Sequence, residues 1–173
     1  MKVTITGATG FIGSHLTNLY LTKGHEVLGI DSMTDYYSRD LKLYRLEQIR
    51  RRFGDNKFEY YEVDAGSDFA ERKIREFMPE IFVHLSAQAG VRQGLDGIIS
   101  YSRNNIEAFL KVIKIVKEVR PRSFLYASSS SVYGQKAKSP FSESEEVLHP
   151  QSIYGITKLA NEMFVSEIGR AHV

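Results

Sequence analysis

The sequence predicts an α/β fold with a doubly wound parallel sheet, and three observations carry that expectation. Short apolar runs alternate with longer stretches of helical period, the pattern of repeated βαβ units. A glycine-rich turn, Gly7 to Gly13, follows the first apolar run, and an acidic residue, Asp31, closes the second. Strands are expected near 2–6, 25–30, 57–63, 80–85 and 123–128. Helices are expected near 11–23, 39–53, 67–77 and 103–119, with another from about Ser152 to Ile168. The sheet order that follows is 3-2-1-4-5, incomplete at the carboxyl end because no sixth strand follows the last helix.

At 173 residues, 42% hydrophobic and 25% charged, the chain has the length and composition of one globular core rather than of a disordered or fibrous segment. A net charge of +2, with basic residues spread among acidic ones, gives no reason to expect a nucleic-acid or membrane-surface partner. With no cysteine there can be neither a disulfide framework nor a thiolate metal site, and a reducing cytoplasm is the expected location. The opening run Lys2 to Thr6 is too short for a secretory signal, and no apolar run is long enough to span a bilayer. His15, His25, His84 and His149 lack metal-ligand spacing, so no metal is expected and each is assigned a structural or surface role. Arg50-Arg51-Arg52 lie opposite Leu43, Leu46, Ile49 and Phe53 at helical spacing and are expected on a solvated face.

The run Gly7-Ala8-Thr9-Gly10-Phe11-Ile12-Gly13 lies where the first strand meets a helix. There the first glycine permits a tight turn, the second lets a pyrophosphate approach the backbone, and the third lets helix and strand pack closely. Phe11 and Ile12 open the helix whose N–H groups and dipole would hold the anion. The spacing is G-x-x-G-x-x-G, not G-x-G-x-x-G, so strand, helix and a following acid are what give it meaning. Asp31 can accept bonds from adenosine ribose hydroxyls and would repel a 2′-phosphate, which favours NAD over NADP. The expected fold is therefore Rossmann-like.

Tyr154 and Lys158 stand four apart on the last expected helix and so share a face. A cation beside a phenol favours the phenolate, which makes a proton shuttle usable near neutral pH. The serines Ser128 to Ser131 follow the fifth strand, where open α/β sheets bind ligands beyond their carboxyl ends. They can orient a substrate hydroxyl.

These motifs, in this order, resemble those of the extended short-chain dehydrogenase/reductases, the NAD-dependent epimerases and dehydratases, from Met1 to about Val165. The resemblance implies that Ser129, three before Val132-Tyr133-Gly134, is the catalytic serine, that Tyr154 is the acid/base and that Lys158 is its partner and contacts the cofactor. It also implies cofactor contacts from Asp64 and Ala87, and from Asn105 as a support of the active site. Within the group, Asp31 to Tyr37 with Leu41-Lys42, Gln88 to Arg92, and the four serines are similar to UDP-glucuronate 4-epimerases. This implies a UDP-sugar substrate, with Ser129, Ser130, Ser131 and Arg92 as its contacts, and a homodimer for a full-length protein. The Asp31 stretch departs from the group's usual Asp-Asn-Leu-Asn at Ser32, Met33 and Thr34. Related dehydratases and decarboxylases place an acid directly after the catalytic Ser or Thr, where this chain has Ser130 and Ser131.

A UDP-glucose/galactose 4-epimerase, a nucleotide-sugar dehydratase or reductase, and a non-catalytic NAD-binding protein are the alternatives. Residues 1–166 are expected to form the NAD-binding domain, with the family's substrate-binding portion missing. Residues 167–173 coincide with the translation of a commonly used sequencing adapter and are expected to be a non-native tail. The fragment alone is expected to be inactive.

Overall fold

Lys2–Thr6, Glu26–Asp31, Phe58–Glu62, Ile81–His84 and Ser123–Tyr126 form strands β1 to β5. They make one sheet in the order β3-β2-β1-β4-β5, with every neighbouring pair parallel, as the sequence predicts. The helices are α1 (Phe11–Thr22), α2 (Arg39–Phe53), α3 (Asp68–Phe77), α4 (Ile98–Tyr101), α5 (Ala108–Val119) and α6 (Ile153–Arg170). The computed structural model describes residues 1–54, 56–90, 97–134, 138–144 and 149–170, the side chains of 169 and 170 excepted. Among them, no helix is long and apolar enough to cross a membrane.

The chain divides into two compact units, Met1–Ser86 with Leu110–Ala127, and Ala87–Phe109 with Ser128–Val173. The first contains the whole sheet. Successive strand residues point to opposite faces, so a strand covered on both sides is apolar throughout. Val3, Ile5 and Val27 accordingly join Leu21 of α1 and Leu46 and Ile49 of α2 in one core cluster. Leu28 and Ile30 join Ala70 and Ile74 of α3 and Val112 and Ile115 of α5 in the other. Each such side chain, fully withdrawn from water, contributes roughly 1.5–3 kcal/mol before entropy is counted. Buried Thr6 bonds the ring of His84 at 2.8 Å, which gives that histidine a structural partner.

Caps explain where two of the helices start. Ser38 accepts from the Leu41 N–H and Ser67 from the Ala70 N–H, and Asp40 and Asp68 add negative charge to first turns. In α2 the arginines 50–52 fall in the last turn, where they complement the dipole. Leu43 departs from the expected face, since it is exposed whereas Lys42 is buried. The core stripe of α2 is Leu46, Ile49 and Phe53, and four residues before Leu46 stands Lys42, not Leu43.

Helical structure before α5 begins at Ile98, not near 103, and runs through a π-helical segment, Ser102–Glu107. A π turn inserts a residue per turn, so apolar positions on its two sides fall out of phase and hide the helix start. Gly169 does not end α6, which continues to Arg170; a glycine inside a helix costs only about 1 kcal/mol.

Candidate active site

In the first unit the glycine loop is fastened to the end of β2. The Gly7 N–H donates to the Ile30 carbonyl at 2.7 Å, and the Thr9 N–H donates to Asp31 Oδ2 at 3.1 Å. Gly10 stands at the N-cap of α1 with no side-chain cap bond, and the first turn holds no acid. Phe11 and Ile12 are exposed there. An N-terminus left open by side chains, with the positive end of the helix dipole behind it, fits an anionic pyrophosphate.

Gly13 shows why the third glycine matters, because a Cβ added there would lie 2.0 Å from the Gly7 carbonyl oxygen. That neighbour is backbone and cannot rotate away. Gly13→Ala is therefore expected to destabilise the protein by ~3 kcal/mol or more, read as a lowered urea midpoint. An unchanged midpoint would show that α1 can draw back from the loop freely.

Asp31 is buried, and its Oδ1 accepts the Met33 N–H at 3.0 Å and lies 3.8 Å from Lys42 Nζ. Asp64 builds the turn into α3, its Oδ1 accepting the Gly66 N–H at 2.7 Å and its carbonyl accepting the Ser67 hydroxyl at 2.7 Å.

The second unit holds the other predicted residues. Ala87, at its first position, lies in irregular backbone beyond β4, and the next residue, Gln88, is clamped by Asn105. Asn105 Oδ1 accepts the Gln88 N–H at 2.7 Å and its Nδ2 donates to the Gln88 carbonyl at 3.0 Å, so a side chain replaces a strand partner. The same Nδ2 donates to Thr157 Oγ1 at 3.2 Å, and that hydroxyl donates to the Tyr154 carbonyl at 2.8 Å. A buried polar chain thus runs from the segment after β4 to the first turn of α6. Tyr101 packs near Tyr154, with ring centres 6.5 Å apart, and its hydroxyl donates to the Gly90 carbonyl.

β5 ends at Tyr126, and Ser129 lies beyond it as the N-cap of a short 3-10 turn, Ser130–Val132. Its Oγ accepts the Ser131 N–H at 3.1 Å. Gly155 permits α6 to approach this turn, since a Cβ there would meet the Ser131 carbonyl oxygen at 2.7 Å. Ser131 is thereby brought against the residue that follows Tyr154. Lys158 Nζ lies 5.8 Å from the Tyr154 ring centre. Burial pushes the Lys158 ammonium down from 10.5 to about 8, because desolvation penalises the charged form. Arg92 lies outside the described residues.

Several residues of this arrangement go beyond the sequence reading, Thr157 and Tyr101 among them. Gly155 is another, and so is Glu162, its carboxylate taking the Ser128 hydroxyl. The signal for Glu162 was its spacing, one further helical step of four after Tyr154 and Lys158.

A parallel sheet with an open helix N-terminus after β1 and an acid ending β2 defines a dinucleotide-binding α/β protein. More particularly, the chain belongs to the NAD dependent epimerase/dehydratase family, whose model matches residues 3–173. It is 41% identical to the protein CapI of Staphylococcus aureus over 94% of this chain and 48% of that protein. It is 38% identical to UDP-glucuronate 4-epimerase 3 of Arabidopsis thaliana over 93% of this chain and 37% of the relative. Among solved structures it resembles the UDP-glucuronic acid 4-epimerase of Bacillus cereus in complex with UDP-glucuronic acid and NAD, with a TM-score of 0.83 and 31% identity. That match covers 94% of this chain and 50% of the other. The chain spans about half the length of these proteins, or less.

Proposed function

We propose that this chain is the cofactor-binding and proton-transferring part of an NAD-dependent 4-epimerase that interconverts UDP-glucuronate and UDP-galacturonate. The observation that carries the reading is the serine turn packed at Gly155 beside the Tyr154/Lys158 pair. Likeness to UDP-glucuronate 4-epimerases supports the choice of sugar.

Bound NAD supplies a reversible two-electron acceptor for the sugar C4. The open N-terminus of α1 takes the pyrophosphate, and Asp31 takes the adenosine ribose hydroxyls. Asp64 and Ala87 complete the cofactor contacts, and Asn105, buried with its amide engaged by Gln88 and Thr157, supports them through the backbone rather than touching the cofactor. Tyr154 removes the proton of the C4 hydroxyl as C4 gives up its hydride, and once the 4-keto sugar has turned over and C4 has regained hydride on its opposite face, Tyr154 returns the proton to the C4 oxygen. Ser129 holds that hydroxyl in line. Lys158 favours the tyrosine phenolate and bonds the nicotinamide ribose. Ser130 and Ser131, with Arg92, hold the uronate carboxylate; hydroxyls can donate to it without adding negative charge.

The test uses a chain extended to the length of the relatives and supplied with NAD and UDP-glucuronate. UDP-galacturonate should accumulate to an equilibrium mixture, followed by proton NMR. Conversion of neutral UDP-hexoses alone would sink the uronate assignment, and loss of water from the sugar would make the protein a dehydratase.

A further inference from the structure

Helix α2 presents a row of cations to the glycine loop and to the residues after β2. Arg39, Lys42 and Arg45, spaced by three, share one side of the helix. Arg39 donates to the Met33 carbonyl at 2.9 Å and to Glu62 at 2.6 Å. Lys42 Nζ donates to the Thr34 carbonyl at 3.1 Å and stands 3.8 Å from Asp31. Arg45 donates to the Thr9 carbonyl at 3.3 Å and lies over the Phe11 ring. Glu62 answers Arg39, which leaves Asp31 facing both Lys42 and the backbone N–H groups of Thr9 and Met33. Only 9% of the Lys42 side chain and 8% of that of Asp31 are exposed, so solvent screens the pair little.

A lone carboxylate at the end of β2 excludes a 2′-phosphate by charge repulsion. Here that charge is met at short range by a buried ammonium, with a guanidinium one helical step further on. We propose that Lys42 sets the cofactor preference of this site by neutralising Asp31, so that discrimination against the 2′-phosphate of NADP is weaker than the aspartate alone would impose. The inference rests on the dinucleotide reading above and adds the residue that tunes it. Lys42 acts through Asp31 and is a positioning residue rather than a catalytic one.

Lys42→Met keeps the length of the stem and removes the charge. In a chain of the relatives' full length, Kd values for NAD and NADP are measured by calorimetry for the parent, Lys42→Met and Lys42→Arg. The ratio of the NADP to the NAD constant should rise about tenfold or more in Lys42→Met, since a unit charge nearby is worth on the order of a factor of ten at intermediate dielectric. Lys42→Arg should keep the parent ratio. Equal weakening of both cofactors in Lys42→Met would overturn the proposal and leave Lys42 as a brace for the Thr34 carbonyl. Should Lys42→Met fail to fold, Lys42→Gln provides the decision, since it also removes the charge: the ratio must rise there too, and an unchanged ratio overturns the pairing. Failure of the parent to bind either dinucleotide would instead refute the underlying site.

Discussion

Tyr154→Phe, in a chain of the relatives' full length, is expected to cut interconversion of UDP-glucuronate and UDP-galacturonate by about three orders of magnitude while leaving the Kd for NAD within about twofold. The substitution removes one oxygen, and the backbone of that turn stays held by the Thr157 hydroxyl on the Tyr154 carbonyl and by Asn105 behind it. Ring packing against Tyr101 is also kept, because it involves the aromatic face and not the hydroxyl. Loss of activity with unchanged folding and cofactor affinity would therefore report proton transfer. Undiminished epimerisation would take the tyrosine out of the mechanism, and a parallel loss of NAD binding would make its role structural.

The sheet was legible because its cause is local. Val27, Leu28 and Ile30 form a nearly continuous apolar run, and Val3 and Ile5 alternate with the buried Thr4 and Thr6, since both faces of the parallel sheet are covered, and each strand is followed by a turn and a helical period. The glycine loop was legible for the same reason, a fixed spacing at a strand-to-helix junction. What stayed hidden depends on contacts between distant segments. Lys42 sits on the core stripe of α2, yet the partners that make a buried ammonium tolerable there, Asp31 and the Thr34 carbonyl, lie eleven and eight residues earlier. The role of Leu43 was misjudged because an apolar residue was preferred to a lysine at neighbouring positions, although the geometry of the stripe favours the lysine.

The second unit was legible in its residues more than in their support. Tyr154 and Lys158 follow from helical spacing, and Asn105 from resemblance. Neither source gives the amide clamp on the Gln88 backbone, which needs the phase shift of the π-helical segment. Gly155 was passed over as an intervening residue because the closeness of the Ser131 carbonyl exists only in the folded chain. Ser129 was expected to end the fifth strand, whereas β5 stops at Tyr126 and the serine caps a turn of its own.

Lys158→Met is expected to abolish turnover and at the same time to raise stability at neutral pH. Lys158 is only 4% exposed, and burial lowers its pKa from 10.5 to about 8. The sign follows from proton binding: between pH 8 and 10.5 the unfolded chain holds more protons at this site than the folded one, so stability rises with pH through that window. Below pH 8 the folded protein bears the whole penalty of a buried ammonium, which the gap between the two pKa values puts at roughly 3 kcal/mol. Methionine fills similar space without the charge. Urea unfolding at pH 7 should therefore show the variant more stable than the parent by ~1–3 kcal/mol, with the difference shrinking to near zero above pH 10.5. Epimerisation should fall by orders of magnitude, because the phenolate of Tyr154 loses the cation that favours it. A variant less stable than the parent at pH 7 would mean that bonds made by the ammonium outweigh its desolvation, and retained turnover would remove Lys158 from the proton-transfer machinery.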